Sequence, residues 1–324
     1  MKRIIQAFIA IVALAGIFPA CAAGIDYPVK PVSLVCPFPA GGSRDIVGRI
    51  FAAAAEKYLA KPLLVINKAG ASGVIGMQSA VQAAPDGYTL ALISTSDVNI
   101  VQAEIAHGRK PPFTRDDFII LGAYTRSPLQ VVVPQNSAWR TLGDMIKDLN
   151  AQPGHYTYCS GGLYNVTHVA AELLLRATGT KAWLVPYKGA GDCIPAVVGG
   201  QIHFTTQFLS STVSLIQGNR LRALAVMGSE RIVPDVPTMK ELGIEAQVYQ
   251  MLGLAAPRAT PAGIVEKLKD VVKRVAEDPV FIRGVEATGD AVRYTSADDF
   301  TRYWDSDSAR LAELLKSLVK ESKP

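Results

Sequence analysis

Short apolar runs alternate with amphipathic stretches along most of this chain, and this alternation limits the fold more than any other feature of the sequence. The apolar runs have the length of strands and cover residues 32–36, 63–66, 89–93, 129–133, 156–159, 182–185, 203–206 and 221–226. The amphipathic stretches between them include residues 45–59, 74–83, 142–149 and 168–177. Strands that alternate with helices predict an α/β fold, with parallel sheets covered by helices on both faces.

The C-terminal part of the chain has a different pattern. Residues 261–277, 279–288 and 297–322 have helical spacing, with one short strand near 292–294. A mostly helical tail after a body that forms two sheets indicates that the chain returns to its first domain and packs there.

This return predicts two α/β domains. Domain 1 would comprise residues 24–126 and 249–324, and domain 2 residues 127–248. The crossings at 119–133 and 247–257 are apolar and strand-like, which favours a hinge of paired strands over a flexible linker.

The first residues have the pattern of an export signal. Met1-Lys2-Arg3 is basic, residues 4–18 are apolar and uncharged, and Ala20-Cys21-Ala22 supplies small residues for cleavage. The apolar stretch is too short to cross a bilayer, which takes about 20 residues. We predict a signal peptide at residues 1–23, cut after Ala22 or Ala23, and an exported mature protein; lipidation of Cys21 is the lesser alternative.

The charges of the mature chain indicate no nucleic-acid partner. Without Lys2 and Arg3, 31 of the 33 basic residues remain against 28 acidic ones, and the two signs are interspersed.

Three cysteines remain in the mature chain after removal of the signal peptide. Cys36 is expected to be a small core residue, whereas Cys159 and Cys193 lie beside glycine turns, and the sequence leaves open whether they form a disulfide.

A strand at 32–36 leads through Gly41 and Gly42 into a helix that opens at Ser43, with Asp45 in its first turn. Such a unit directs unpaired backbone N–H groups and the positive end of the helix dipole at one place, which suits an anion such as a carboxylate. Arg44 beside this turn either pairs with a ligand carboxylate or is solvated.

Glycine turns recur at the ends of predicted strands, at 39–43, 69–73, 160–162 and 187–191. Glycine relieves strain in any tight turn, which explains one such turn. Four turns at the same topological position favour a cleft shared by the two domains, because ligands of open α/β sheets bind outside the carboxyl ends of the strands.

The motifs of nucleotide binding, hydrolysis and metal binding do not occur. There is no G-x-G-x-x-G, no G-x-x-x-x-G-K-[ST], no G-x-S-x-G, no H-E-x-x-H and no C-x-x-C. The four histidines are scattered, and His168 is expected to cap or pack. We therefore predict a protein without cofactor, metal or catalytic residue.

Segments along nearly the whole mature chain resemble the Bug family of periplasmic solute receptors, the extracytoplasmic components of tripartite tricarboxylate transporters. The matching segments are 27–31 (YPVKP), 37–42 (PFPAGG) with Asp45 and Arg49, 67–76, 85–90 (PDGYTL), 186–189 (PYKG), 199–201 (GGQ), 221–226 (LRALAV), Arg231, and 234–238 (PDVPT). The resemblance implies a type II periplasmic-binding-protein fold, in which two α/β lobes close on a small carboxylated molecule.

With the turns above, the resemblance implies a ligand site shared by both lobes. Backbone amides of the first turn would hold the carboxylate, and Phe38 would form an apolar wall. The candidate ligand-binding residues are Phe38, Ala40, Gly41, Gly42, Ser43, Arg44, Asp45, Ser94, Ser160, Gly161, Gly162, Tyr164, Thr167, Gly189, Ala190 and Asp192.

The second-domain half departs from the family pattern. Tyr164 stands where glycine is common, Asn165 where serine is, and Asp192 and Ala196 where the family often has proline and aspartate. We expect the Tyr164 ring to project toward the cleft and to favour a flat or apolar ligand; the alternative is that it turns outward and shields the loop.

Together these observations predict a monomeric periplasmic receptor that captures a small organic acid and delivers it to a membrane permease. A receptor that presents its ligand to a sensor kinase fits the same residues. A periplasmic enzyme fits them less well, because no nucleophile and base are paired in the sequence.

Overall fold

The computed structural model describes residues 26–321, which form ten strands and ten α-helices. The predicted signal peptide and Cys21 lie outside the described residues. The strands are β1 (Val32–Cys36), β2 (Leu63–Asn67), β3 (Thr89–Ser94), β4 (Phe118–Pro134), β5 (Thr157–Ser160), β6 (Trp183–Pro186), β7 (Phe204–Phe208), β8 (Leu221–Val226), β9 (Tyr249–Pro257) and β10 (Val292–Thr295). The helices are α1 (Ser43–Leu59), α2 (Val74–Val81), α3 (Val98–Ala106), α4 (Leu142–Ala151), α5 (Val166–Thr178), α6 (Ala190–Val198), α7 (Val213–Gln217), α8 (Ala262–Ala276), α9 (Pro279–Glu286) and α10 (Ala297–Glu321).

Two groups of strands share β4. The first half of β4 pairs with β9 and β10 in the order β2-β1-β3-β9-β4-β10, and its second half lies in the order β8-β4-β7-β5-β6. We call the elements around the first group the first lobe and those around the second group the second lobe. The predicted domain boundaries follow the same division but remain a prediction.

The expectation of parallel sheets is wrong for the strands that cross between the lobes. The pairs β1–β2, β1–β3, β5–β6 and β5–β7 are parallel as expected. In contrast, β9 runs antiparallel to both β3 and β4, and β4 runs antiparallel to β7 and β8. The reason is that β4 and β9 carry the chain between the lobes in opposite directions and pair with each other on the way, as the strand-like hinge predicted.

The first lobe has helices on both faces of its sheet. On one face, Phe51 of α1 stacks on Tyr124 of β4 with 4.6 Å between ring centroids, and Phe281 of α9 packs against both rings. On the other face, Phe300 and Trp304 of α10 pack against the sheet. Burial of these large aromatic side chains stabilises this lobe.

The second lobe is also covered on both faces. Trp139, Tyr158 and Phe204 are buried with α4 and α5 on one face. On the other face a disulfide joins Cys159 at the end of β5 to Cys193 of α6, with 5.9 Å between the two Cα atoms. The question that the sequence left open is thus answered, and the bridge holds α6 to the sheet close to its N-terminus.

Cys36 is buried in β1, as expected, and is the free cysteine of the described chain. Burial raises the pKa of its thiol to about 11, so the thiol stays protonated and unreactive at neutral pH.

No helix within residues 26–321 combines the length and the apolar character that a membrane crossing requires.

Helix α10 joins the lobes along the side of the molecule. Its residues Leu311 and Leu315 pack with Ile100 of α3 in the first lobe and with Val169 of α5 in the second. Near the end of α10, Glu321 forms an ion pair with Arg176 of α5 at 2.8 Å. We call this apolar contact region the α10 seam.

Asp290 is a buried carboxyl group at the place where the lobes meet. It is 5% exposed, and burial raises its pKa to about 6. The hydroxyls of Ser210 and Ser127 lower this pKa by a smaller amount, although neither is in hydrogen-bonding geometry with the carboxyl group. Asp290 is therefore protonated in the folded protein at pH values where it is ionised in the unfolded chain.

This difference predicts a component of stability that depends on pH. Because the folded-state pKa lies above the unfolded value of about 3.9, the component is full below that pH and is lost as pH rises through about 6. Asp290→Asn removes the titrating group. The free energy of unfolding of the variant, relative to that of the wild type, should therefore rise by on the order of 2–3 kcal/mol when the pH is raised from 4 to 7.5. Urea unfolding at both pH values measures the gain, with exposed Asp235→Asn as the control. Parallel pH profiles of the wild type and Asp290→Asn would contradict the assignment.

Candidate ligand-binding cleft

A cleft lies between the two lobes, with about 560 Å³ of space free of protein atoms, part of it open to solvent. This size is within the range of small-molecule sites. The predicted residues that line the cleft are Phe38, Gly42, Ser43 and Arg44 of the first lobe, and Gly161, Thr167 and Ala190 of the second.

Two helix N-termini face each other across this cleft. Helix α1 begins after Gly42 and α6 after Gly189, and neither glycine offers a side chain to cap its helix. Among the described residues, the amides of Ser43 and Arg44 in α1 and of Ala190 in α6 have no acceptor. A Cβ on Gly42 would lie 3.6 Å from the Cβ of Ala190, so the two positive helix ends are close to one another. Uncompensated amides and two dipoles at one place suit an anion.

Asp45 shapes the first turn without lining the cleft. Its Oδ2 accepts a hydrogen bond from the amide of Gly41 at 3.0 Å. Its Oδ1 accepts from Arg49 Nε at 3.0 Å and from Asn67 Nδ2 at 2.9 Å. Both carboxylate oxygens are thus used inside the first lobe, and Asp45 positions the loop whose amides face the cleft.

Arg44 is buried rather than solvated, and its pairing with a ligand carboxylate stays a prediction. Its side chain is buried, and its terminal nitrogens donate to both carboxylate oxygens of Asp97, at 2.8 and 3.2 Å. Nη2 also donates to Ser94 Oγ at 2.6 Å, and Nη1 to the carbonyl of Leu92 at 3.3 Å. Because Asp97 neutralises it, Arg44 brings no net charge to the cleft. Ser94 is hydrogen-bonded to both members of the pair.

The second-lobe loop is held by hydrogen bonds of its own. Ser160 Oγ donates to the carbonyl of Gly162 at 2.9 Å, and Thr167 Oγ1 accepts from the amide of Gly161 at 2.9 Å. Asn165 Oδ1 caps α5 by accepting from the amides of Thr167 and His168. The loop therefore presents its backbone to the cleft in one defined conformation.

His168 packs, as expected. Burial lowers its pKa to about 4, so the imidazole is neutral, and its Nδ1 accepts a hydrogen bond from the amide of Tyr164 at 2.9 Å.

The prediction that the Tyr164 ring projects into the cleft is wrong, and so is the alternative that it shields the loop from outside. Tyr164 is 8% exposed, and its ring lies in the α10 seam beside Ile100 and Leu311. Its hydroxyl lies 3.3 Å from His107 Nε2 at the end of α3. The seam is apolar and buries the ring more fully than a polar cleft would. The φ of Tyr164 is +60°, which gives a physical reason for the glycine that is common here in the family.

The remaining predicted residues lie around the cleft rather than on its wall. Ala40 and Gly41 are exposed at its rim, Asp192 is exposed on the first turn of α6, and Ser160, Gly162 and Gly189 are buried where the lobes touch.

The glycines explain how closely the lobes approach. A Cβ on Gly191 would lie 2.4 Å from the carbonyl oxygen of Ala40, and one on Gly189 would lie 2.5 Å from Pro39 Cδ. One on Gly162 would lie 2.3 Å from Ser72 Oγ. Gly189 has an extended φ of 173°, and Gly191 does not lie in the left-handed region either, so close contact between lobes rather than backbone strain requires glycine there. The lobes are closed in this structure.

Sequence reasoning missed a large part of the wall, because it searched for glycine turns. The missed residues are Ser72, Ser96, Asp97, Ile100, Asn165, Val166, Gln207, Phe208, Ser211 and Gln250. Asp97 follows β3, and Gln207 and Phe208 end β7, so the carboxyl ends of strands were a usable signal even without glycine. Gln250 lies on the crossing strand β9, and although the strand was expected, no pattern in the sequence indicated that this residue lines the cleft.

The Arg44–Asp97 pair predicts how the free energy of unfolding responds when one or both of its charges are removed. Arg44→Met leaves the buried carboxylate of Asp97 unpaired and should lower the free energy of unfolding by about 3–5 kcal/mol. The double variant Arg44→Met/Asp97→Asn removes the unpaired charge and should be more stable than the single one. Urea denaturation measures both. Arg49→Met is the control, since Arg49 is half exposed in its pair with Asp45 and should cost less than about 1 kcal/mol. A single variant as stable as the wild type would show that Asp97 does not depend on Arg44.

Comparison with known proteins agrees with this architecture. Residues 47–319 match the model of the tripartite tricarboxylate transporter family receptor. A UPF0065 protein of Agrobacterium vitis, from the TAR-I ttuE-ttuC' intergenic region, is 34% identical over 288 residues, covering 87% of this chain and 82% of its own. BugT of Bordetella pertussis is 30% identical over 310 residues, covering 95% of this chain and 94% of its own.

Among solved structures, MatC from Rhodopseudomonas palustris with bound malate superimposes with a TM-score of 0.82 at 26% identity, covering 89% of this chain and all of that one. The expected fold is thereby confirmed: two α/β lobes around a cleft, as in periplasmic binding proteins. With a family model that spans most of its length and relatives that match it nearly end to end, this chain belongs to the tripartite tricarboxylate transporter receptor family.

Proposed function

We propose that the protein is a periplasmic receptor that holds a small carboxylate between its lobes and delivers it to the membrane components of a transporter. The observation that carries the proposal is the pair of uncapped helix N-termini, at Ser43 and Ala190, that face each other across a closed cleft. An anion between them completes the hydrogen bonding of both helices and links the lobes.

The charges of the cleft support recognition through the backbone. Arg44, the one basic residue of the described cleft wall, is paired with Asp97, so no free cation attracts the ligand. Hydrogen bonds from neutral amides to a charged group contribute about 1.5–3 kcal/mol each, and a helix dipole about 0.3–1 kcal/mol. Several such contacts are enough to bind one carboxylate group.

The relatives support the ligand class and the partner. MatC is described with bound malate, and the family is named for tripartite transporters of tricarboxylates. We extend to this chain the capture of a carboxylate and the transfer to membrane subunits. We also propose export through the signal at residues 1–23, a monomeric state, no nucleic-acid partner, and binding without chemical conversion of the ligand.

A screen of mono-, di- and tricarboxylates by thermal shift tests the ligand class. A ligand at about 100 times its Kd should raise the free energy of unfolding by about 2.7 kcal/mol. Gly42→Val places a branched side chain between the two helix ends and should abolish this gain. Gly42→Ala is the matched control, because its Cβ would meet Ala190 at an ordinary contact distance of 3.6 Å. Undiminished carboxylate binding by Gly42→Val would place the anion elsewhere.

Closure can be tested separately. Gly191→Ala should fold normally but oppose the closed state, because its Cβ would lie 2.4 Å from the carbonyl oxygen of Ala40. We expect at least tenfold weaker binding of the best acid, and a larger radius of gyration than that of the wild type by small-angle scattering at saturating ligand. Gly143→Ala in α4 is the control, since its Cβ would meet only Thr141 Oγ1, at 3.6 Å. Equal affinity and equal radius for Gly191→Ala would argue against closure as the binding step.

A further inference from the structure

Gln207 forms part of the second-lobe wall of the cleft, at the end of β7. Its side chain is fully buried, and its Nε2 lies 3.2 Å from Thr205 Oγ1 and 3.6 Å from Cys193 Sγ. Ser211, in the turn that follows β7, lines the same cleft.

The neighbouring hydroxyl fixes which way the Gln207 amide points. Thr205 Oγ1 donates its single proton to the carbonyl oxygen of Cys159, at 2.7 Å. It can therefore only accept from Gln207, so the NH₂ group of the amide must face Thr205. The carbonyl oxygen Oε1 is then the group of Gln207 directed away from this network.

Two polar atoms on this wall have no partner within the described part of the protein. They are Gln207 Oε1 and Ser211 Oγ, and both atoms are buried. Of the twelve unpartnered buried side-chain atoms of the described residues, these two belong to residues that line the cleft. Buried polar atoms in native proteins nearly always have a hydrogen-bond partner, and on the wall of a cleft a ligand group can supply it.

The chemistry of that group follows from the acceptor. A carboxylate oxygen cannot satisfy Gln207 Oε1, because both are acceptors. An ammonium group would need a counter-charge, and Asp97, the acidic residue of the described cleft wall, has both oxygens on Arg44. A neutral donor, above all a hydroxyl group, fits the site.

We propose that the ligand carries a hydroxyl group besides its carboxylate, and that Gln207 Oε1 accepts the hydrogen bond from this hydroxyl with Ser211 beside it. This inference rests on the proposed function, since it assumes that the carboxylate lies at the helix ends across the cleft. It narrows the ligand class from organic acids to hydroxy acids.

Calorimetric titration with paired acids tests the proposal. The pairs are malate and succinate, 3-hydroxybutyrate and butyrate, and 4-hydroxybenzoate and benzoate. In at least one pair, the wild type should bind the hydroxy acid about tenfold more tightly than its partner. Gln207→Met keeps the length of the side chain but removes the acceptor, and should bring the two affinities within threefold of each other. Gln207→Asn withdraws the amide by one methylene and should do the same, so the test does not depend on one variant.

Gln130→Met is the matched control. Gln130 pairs with Gln207 across β4 and β7, is buried, and also has an unpartnered Oε1, but it does not line the cleft. Its replacement should leave the hydroxy-acid preference unchanged. If acids bind without any preference for the hydroxyl, or if both Gln207 variants retain the preference, the inference is overturned while the receptor function stands. If no carboxylate in the wider screen binds at all, the proposed function itself fails.

Discussion

The buried ion pair between Arg44 and Asp97 determines the electrostatic field inside the cleft. It joins the start of α1 to the turn after β3, and through Ser94 it reaches Gln250 on the crossing strand β9. A free arginine here would dominate anion binding, and a free aspartate would oppose it. Since each neutralises the other, the field that an anion in the cleft would meet is the weaker one of the helix ends and main-chain amides. Such a field holds a carboxylate without fixing what the rest of the molecule must be.

Much of the fold was accessible from the sequence because its signals are local. The apolar run at 32–36 and the one at 221–226 coincide with β1 and β8 as observed, and the helix after Gly42 begins where the glycine pair and Ser43 indicated. Periodicity and turn chemistry depend on neighbours within a few residues, so a single sequence carries them. The crossing strands were recognised for the same reason, as apolar, strand-like stretches that do not have the composition of a flexible linker.

The parts that failed depend on contacts between residues far apart in the chain. Arg44 and Asp97 are 53 residues apart, and no sequence pattern near either residue indicates that the two form an ion pair. Tyr164 lies in the α10 seam, where α3 and α10, two helices far from it in the sequence, contribute most of the apolar residues. The antiparallel direction of β9 is likewise set by where the chain returns from. In each case local chemistry permits several outcomes, and tertiary packing selects one of them.

The two lobes also differ in how their cores are assembled along the chain. The core of the second lobe takes all its residues from one continuous stretch, Leu129 to Val248. The main core of the first lobe combines residues as early as Tyr27 with others as late as Val285. A chain that emerges N-terminus first supplies the whole second core before β9, α8 and α9 have appeared. The second lobe can therefore form its complete core at a stage when the first lobe still lacks the C-terminal residues of its own core.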